Sequence, residues 1–294
     1  MQRPDVLGIA IVNYRTAHQV AGLVHSVADR STRTGPHVAV AIVDNSEQQP
    51  ELAAVVDFAR NSGMSSRLIS GHGNVGYAAG NNLAASWLID AGADVIWVLN
   101  PDTRIAGGTL ASAMGHWPAD GRGIAATTTV TAGGEKLPGL GVLDLWTGRS
   151  GLPAGGATPA AGKLTYVSGH SVLVTRRAWE DLAGFCEDYF LFYEEADLAV
   201  RSARLAIPTT VIDDLAVEHV GGATTGASRD LRAKSVLTYF HASRSCMIFF
   251  RKHHLGRVPL VAAARLAYAG RALVVAGGAA AAAIVRGVVA GLRA

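Results

Sequence analysis

The sequence has few cysteines, few charges and few aromatic rings. Its two cysteines in 294 residues, Cys186 and Cys246, can build neither a disulfide framework nor a four-thiolate metal site, a usage that fits a reducing compartment. Charged residues make up 17% against 49% apolar, which excludes intrinsic disorder and leaves ample material for a core. No secretory leader is expected, because the first residues carry Asp5 and a short apolar run ending in Asn13-Tyr14-Arg15, the pattern of a first β-strand. The uncharged run 272–285 falls short of the roughly 20 residues that span a bilayer.

Acid is absent from residue 231 onward, where ten Lys or Arg stand with no Asp or Glu. The net charge of +3 therefore hides an acidic body of −7 and a basic tail of +10. The pI near 9 comes from that tail, so no nucleic-acid partner is expected.

The first hundred residues alternate apolar β-branched runs (6–12, 38–43, 67–70, 94–99) with stretches of helical spacing (17–29, 50–61, 78–91). This order predicts an α/β, doubly wound sheet with ligands at the carboxyl ends of its strands. Residues 131–163 hold nine glycines and three prolines and read as a long mobile loop or loose hairpin nucleated by 143–146. Beyond it, 164–175 reads as one strand, 177–183 and 194–205 as helices, and 209–212 and 216–219 as short strands. The organisation expected is a domain over 1–230 and a helical tail over 231–294. If 257–293 formed one helix, five arginines would share an arc of about 120°, unless Pro259 or Gly277-Gly278 breaks it. Such a stripe beside apolar residues predicts peripheral contact with an anionic membrane; the alternative is a helical hairpin closing a homodimer.

Several strand ends carry chemistry. Gly71-His72-Gly73-Asn74-Val75-Gly76 matches a dinucleotide-binding glycine pattern but follows the third strand, not the first, and is set aside as a decoy. Asp44-Asn45-Ser46 reads either as an Asx-turn or as a nucleobase or ribose contact. Asn100-Pro101-Asp102 displays a carboxylate suited to Mg²⁺ or Mn²⁺ bridging two phosphates, or is a simple Pro-Asp turn. Glu194-Glu195-Ala196-Asp197 follows an aromatic run at a helix start; the acids either answer the helix dipole or raise one another's pKa for general-base work. His219, after a strand and before Gly221-Gly222, is a candidate metal ligand.

In this order, Asn13-Tyr14, Asp44-Asn45-Ser46, Asn74 through Asn82, Asn100-Pro101-Asp102, Gly169 through Arg177, Tyr193 through Leu198, and His219 resemble inverting family two nucleotide-sugar glycosyltransferases of the GT-A fold, in particular a bacterial rhamnosyltransferase-like branch. The resemblance implies that Asn13, Tyr14 and Asp44 hold the nucleobase, and that Asn74, Gly76, Tyr77 and Asn81 border the donor's base and sugar. Gly169 belongs to the same donor-binding set. Arg176 and Arg177 read either as partners of the diphosphate charge, Arg177 foremost, or as exposed arginines at a helix start. His170, where relatives more often have a small residue, narrows the sugar pocket. Asp102 and His219 match the family's metal ligands. Asn100 departs from the usual Asp and would weaken a divalent ion. The catalytic base falls on Glu195, with Glu194 as runner-up, where relatives usually have Asp.

The expected donor is a dTDP-, UDP- or GDP-sugar, with dTDP-L-rhamnose favoured. The acceptor is a glycan, a lipid-linked molecule or a small molecule. The expected location is cytoplasmic, at the inner face of the plasma membrane. The competing readings are a nucleotide-sugar-binding protein without turnover and an NAD-dependent oxidoreductase.

Overall fold

The computed structural model describes residues 5–46, 49–115, 117–131, 133–152, 161–219 and 231–294. The chain divides into two compact units. The first comprises 1–139, 167–185 and 201–220, and the second 140–166, 186–200 and 221–294.

In the first unit, β1 (Val6–Asn13), α1 (Ala17–Ala28), β2 (His37–Asp44), α2 (Glu51–Asn61), β3 (Ser65–Ile69), α3 (Gly76–Asp90) and β4 (Val95–Leu99) follow the predicted alternation. Strands β5 (Thr103–Gly107), β6 (Ile124–Val130) and β7 (Lys136–Pro138) come next. The order across the main sheet begins β3-β2-β1-β4, all parallel. Every residue of β1 is buried, as a strand covered on both faces by helices requires. The order reverses at β1, between β2 and β4, so the carboxyl ends of these three strands form the switch point where such sheets bind ligands. Gly80 helps set α3 there, since a Cβ at that position would come within 3.0 Å of Val12 Cγ2 on β1.

The stretch expected to be a mobile loop is partly regular instead. In the second unit β8 (Leu140–Asp144), β9 (Ser150–Gly151) and β10 (Lys163–Val167) form a three-stranded sheet in the order β10-β8-β9. Leu143 is its buried nucleus, while Trp146 is exposed and stacks beneath the Arg257 guanidinium. Lys163 reaches the Asp144 carboxylate at 2.8 Å, and this bond, outweighing burial, lowers the Asp144 pKa to about 2. Residues 153–160 of the stretch lie outside the described residues.

The single strand expected over 164–175 is likewise two, broken at 168–170. Its second half, β11 (Ser171–Thr175), leaves the small sheet and runs antiparallel to β4 in the first unit. Helix α4 (Arg176–Leu182) follows, capped by the Thr175 hydroxyl, and then α5 (Glu194–Arg204). Strand β12 (Thr209–His219) joins the two short strands expected there, with a register shift between Ile212 and Ala216.

The tail is three helices of the second unit: α6 (Val236–His253), α7 (Val258–Ala276) and α8 (Gly278–Arg293). The single-helix reading of 257–293 fails at Gly277, whose φ of 91° is open to glycine and strained for other residues, so α7 and α8 separate there. The five-arginine arc fails with it, and Arg265 bonds inward to Gly148 O and Tyr193 Oη. Gly287 and Gly291 lie one turn apart on the face of α8 against α6. A Cβ at Gly291 would meet the Arg244 carbonyl and sit 2.7 Å from Met247 Cβ. Gly291→Val should therefore cost about 3 kcal/mol or more through overpacking. Gly270→Ala, on α7 with nothing within 4 Å of a new Cβ, should gain about 0.5–1 kcal/mol from helix propensity. Denaturant unfolding of the two variants checks the opposite signs.

Candidate active site

The switch point of the first unit is a polar cradle. Asn13 and Asp44 end β1 and β2 in register, and Asn13 Nδ2 donates to Asp44 Oδ1 at 2.9 Å. Asp44 Oδ1 also accepts from Ser46 N at 2.9 Å, so the Asx-turn is present. Asn13 Oδ1 accepts from Thr16 N at 3.0 Å, opening α1. Asp44 is 2% exposed, and its carboxylate ties the strand ends together. Tyr14 stands half-buried beside this knot, beneath the Arg15 guanidinium. Asn45 Nδ2 donates to Gly76 O, and Asn81 Nδ2 to Tyr77 O. The Oδ1 atoms of Asn45 and Asn81 are buried without a hydrogen-bond partner. Asn74 Oδ1 accepts from Gly76 N, and Tyr77 Oη donates to Gly169 O at 2.6 Å. The glycine pattern thus serves as the turn into α3, with Gly71, Gly73 and Gly76 all at positive φ.

Asp102 lies just past the end of β4 and is 5% exposed. Strand pairing brings His219 to it, because His219 sits opposite Thr103, and His219 Nε2 stands 3.5 Å from Asp102 Oδ1. The His219 ring stacks on His170 with centroids 4.4 Å apart and planes 2° from parallel. His170 is buried, its two ring nitrogens held by Thr129 Oγ1 and Ser168 Oγ. Burial, with His219 alongside, lowers its pKa to about 3 despite the Asp102 charge, so the ring is neutral. His170 therefore supports His219. Asn100 is half-buried, and its backbone N–H and carbonyl bond His170 O and Thr103.

Among the described residues no three His, Cys, Asp or Glu side chains cluster as a metal cage. One carboxylate and one imidazole facing each other still fit a divalent ion that completes its shell with phosphate oxygens and water.

Arg177, expected at the diphosphate, lies away from this edge. Because β11 runs antiparallel to β4, Ser171 lies by Leu99 and Thr175 by Val95, so α4 starts at the opposite edge of the sheet from Asp102. There Arg177 Nη1 donates to Asp120 O, and Arg176 pairs with Glu180. The sequence cannot give strand direction, and the misplacement follows from that.

In the second unit the acids open α5 after two aromatic residues in the left-handed region, Phe192 at φ 69° and Tyr193 at φ 71°. Backbone strain of this kind concentrates at functional sites. The Tyr193 hydroxyl, tied to Gly148 O and Arg265, holds the turn. The two glutamates then part. Glu194 is 3% exposed, and its Oε2 is buried with no hydrogen-bond partner. Burial, reinforced by the charges of Glu195 and Asp197, pushes its carboxyl well above the usual range. Glu195 lines a cavity of about 710 Å³ together with Tyr166, Tyr193 and several cations. Asp197 points elsewhere, bonded to His253 Nε2 at 2.7 Å and Tyr189 Oη at 3.3 Å. The sequence reading missed the His253 partner and the cations of this cavity, which lie far apart along the chain and carry no local signal.

A mixed, helix-flanked sheet with a polar switch point and a facing Asp–His pair defines the GT-A class of nucleotide-diphospho-sugar transferase folds. The chain belongs to glycosyl transferase family 2, whose model matches residues 8–180. No curated protein matches the sequence. Among solved structures, it is similar to the mannosyltransferase PcManGT from Pyrobaculum calidifontis in complex with GDP-Man and Mn²⁺, at 14% identity and a TM-score of 0.57, covering 99% of this chain and 88% of that one. It is also similar to S. aureus TarS, at 15% identity and 0.52, covering 90% of this chain and 42% of TarS. GalNAc-T7 with UDP, GalNAc and Mn²⁺ matches at 13% identity and 0.55, over 85% of this chain and 50% of that one. These likenesses support the fold.

Proposed function

We propose that the protein is an inverting glycosyltransferase that moves a sugar from a nucleoside diphosphate to an acceptor hydroxyl. The observation that carries this reading is the division of the paired acids: Glu195 reaches a cavity, while Glu194 is shut away with its carboxyl raised. Glu195 accepts the proton of the acceptor hydroxyl. The freed oxygen bonds to the anomeric carbon on the face opposite the leaving nucleoside diphosphate, whose bond to that carbon breaks. The configuration inverts. A positioned base of this kind contributes about 10²–10⁴-fold.

Donor binding falls to the first unit. Asn13, Tyr14 and Asp44 shape the base site, and Asn45 and Asn81 present unpartnered oxygens beside it. Asp102 and His219 would hold Mg²⁺ or Mn²⁺, with Asn100 beside them; the ion supplies charge neutralisation to the leaving diphosphate. Mn²⁺ in the mannosyltransferase and GalNAc-T7 structures supports that choice.

The rhamnosyltransferase resemblance makes dTDP-L-rhamnose the first donor to test. Helices α7 and α8 expose Leu260, Leu266, Leu273, Val274, Val285 and Val289, and Leu255–Ala276 is long and apolar enough to cross a membrane. The exposed apolar side chains, with the uniformly basic tail, support peripheral attachment to an anionic bilayer at the cytoplasmic face and a glycan or lipid-linked acceptor.

Calorimetric titration with dTDP, UDP, GDP and NAD, each with Mn²⁺ and with EDTA, tests the reading. The expected result is a Mn²⁺-enhanced preference for one nucleoside diphosphate. Binding of NAD alone would overturn it.

A further inference from the structure

The cavity that Glu195 enters is strongly one-sided in charge. Arg149, Lys234, Arg265 and Arg271 line it, and Glu195 is the one carboxylate among the described lining residues. These cations come from three separate parts of the chain. Arg149 immediately precedes β9, Lys234 precedes α6, and Arg265 and Arg271 lie on α7. The first two are not on α7, so the cluster is more than one helix's solvated face. Among the described residues none of the four is in an ion pair with a carboxylate.

Arg265 is the most constrained. It donates to Gly148 O at 2.8 Å and to Tyr193 Oη at 2.7 Å, both neutral, and its Nε is buried with no partner. Cations gathered round one concavity repel one another, and the arrangement is stabilised by an anion placed among them. Guanidinium groups suit phosphate in particular, through paired N–H donors.

We infer that the acceptor carries a phosphate or diphosphate ester close to the hydroxyl that reacts, and that Arg149, Lys234, Arg265 and Arg271 bind it in the Glu195 cavity. This rests on the glycosyltransferase reading for the word acceptor. The anion site itself rests on the cavity alone. The phosphate fixes the molecule's register so that its hydroxyl faces Glu195, and the aromatic walls, Tyr166 and Tyr193 among them, cover the rest. Two sources share this chemistry: a lipid-linked phosphate and a phosphate ester free of lipid.

The test uses the full chain in EDTA at fixed ionic strength. Inorganic phosphate and n-octyl phosphate are titrated calorimetrically, with n-octyl glucoside as the uncharged control. Both phosphates should bind and the glucoside should not. Arg149→Ala, Lys234→Ala and Arg271→Ala, each at a residue at least partly exposed, should raise the phosphate Kd about tenfold apiece. Tighter binding of octyl phosphate than of inorganic phosphate assigns a lipid-linked acceptor, and equal binding assigns a lipid-free ester. Phosphate affinity unchanged in all three variants, or matched by the glucoside, overturns the inference. Nucleoside diphosphate titration of the same preparations separates the two readings. Nucleotide binding without phosphate binding leaves the transferase standing and removes the anion site. Phosphate binding that depends on the cations, without nucleotide binding, does the reverse.

Discussion

Glu195→Gln is expected to lower kcat by about 10²–10⁴-fold while nucleoside diphosphate affinity stays within twofold or so, because the amide keeps the shape of the side chain but cannot take a proton. Glu194→Gln should behave in the opposite way. Burial and the neighbouring charges push its carboxyl toward the protonated form, so an uncharged isostere changes little in turnover. The difference appears in stability. A carboxyl whose folded pKa is raised above its unfolded value contributes stability in full below the unfolded pKa and loses it as pH rises through the folded one. The native protein should thus lose stability with rising pH over that interval, starting near 4.5, and Glu194→Gln should flatten the slope and melt higher at neutral pH. Single-turnover kinetics and a pH series of melting curves read the two effects. If Glu194→Gln abolishes turnover and Glu195→Gln does not, the base has been assigned to the wrong acid.

Asp102→Ala is expected to abolish the enhancement of nucleoside diphosphate binding by Mn²⁺, a loss of about 100-fold or more. Losing even an outer-shell partner of a metal ligand costs about 10–100-fold. Asp102 faces His219 at 3.5 Å, and among the described residues no third acid, histidine or cysteine completes a metal-holding group with them, so none of these substitutes for it. Asn100→Asp should move the other way and tighten Mn²⁺ binding by adding an anionic oxygen ligand. The measurement is nucleotide affinity with Mn²⁺ and with EDTA. Equal affinity under both conditions in the native protein would take the ion out of the reaction and leave Asp102 as part of a turn.

The sheet's first half was legible for a simple reason. Strands β1, β2 and β4 are buried on both faces and so are written as unbroken apolar runs. The second half was not. Strand β6 carries three threonines, Thr127, Thr128 and Thr129, and no apolar run marks it. The two pieces read at 209–219 are one strand crossing a register shift. Around the site, the motifs were legible because each sits at a strand end or helix start, but their partners were not. His170 meets His219, and Glu195 shares a cavity with Arg271, through pairings that no local spacing encodes.

The sequence by itself determined the class of fold, the family and which acids and histidine are the candidates for its chemistry, since short-range periodicity and motif order are properties of neighbouring residues. Only the tertiary structure decided the direction of β11, which removes Arg177 from the ligand edge, and the break at Gly277, which turns one expected helix into two. It also separated Glu194 from Glu195. Both are glutamates in the first turn of one helix, and burial differs between them because solvent access is set by what packs around the helix.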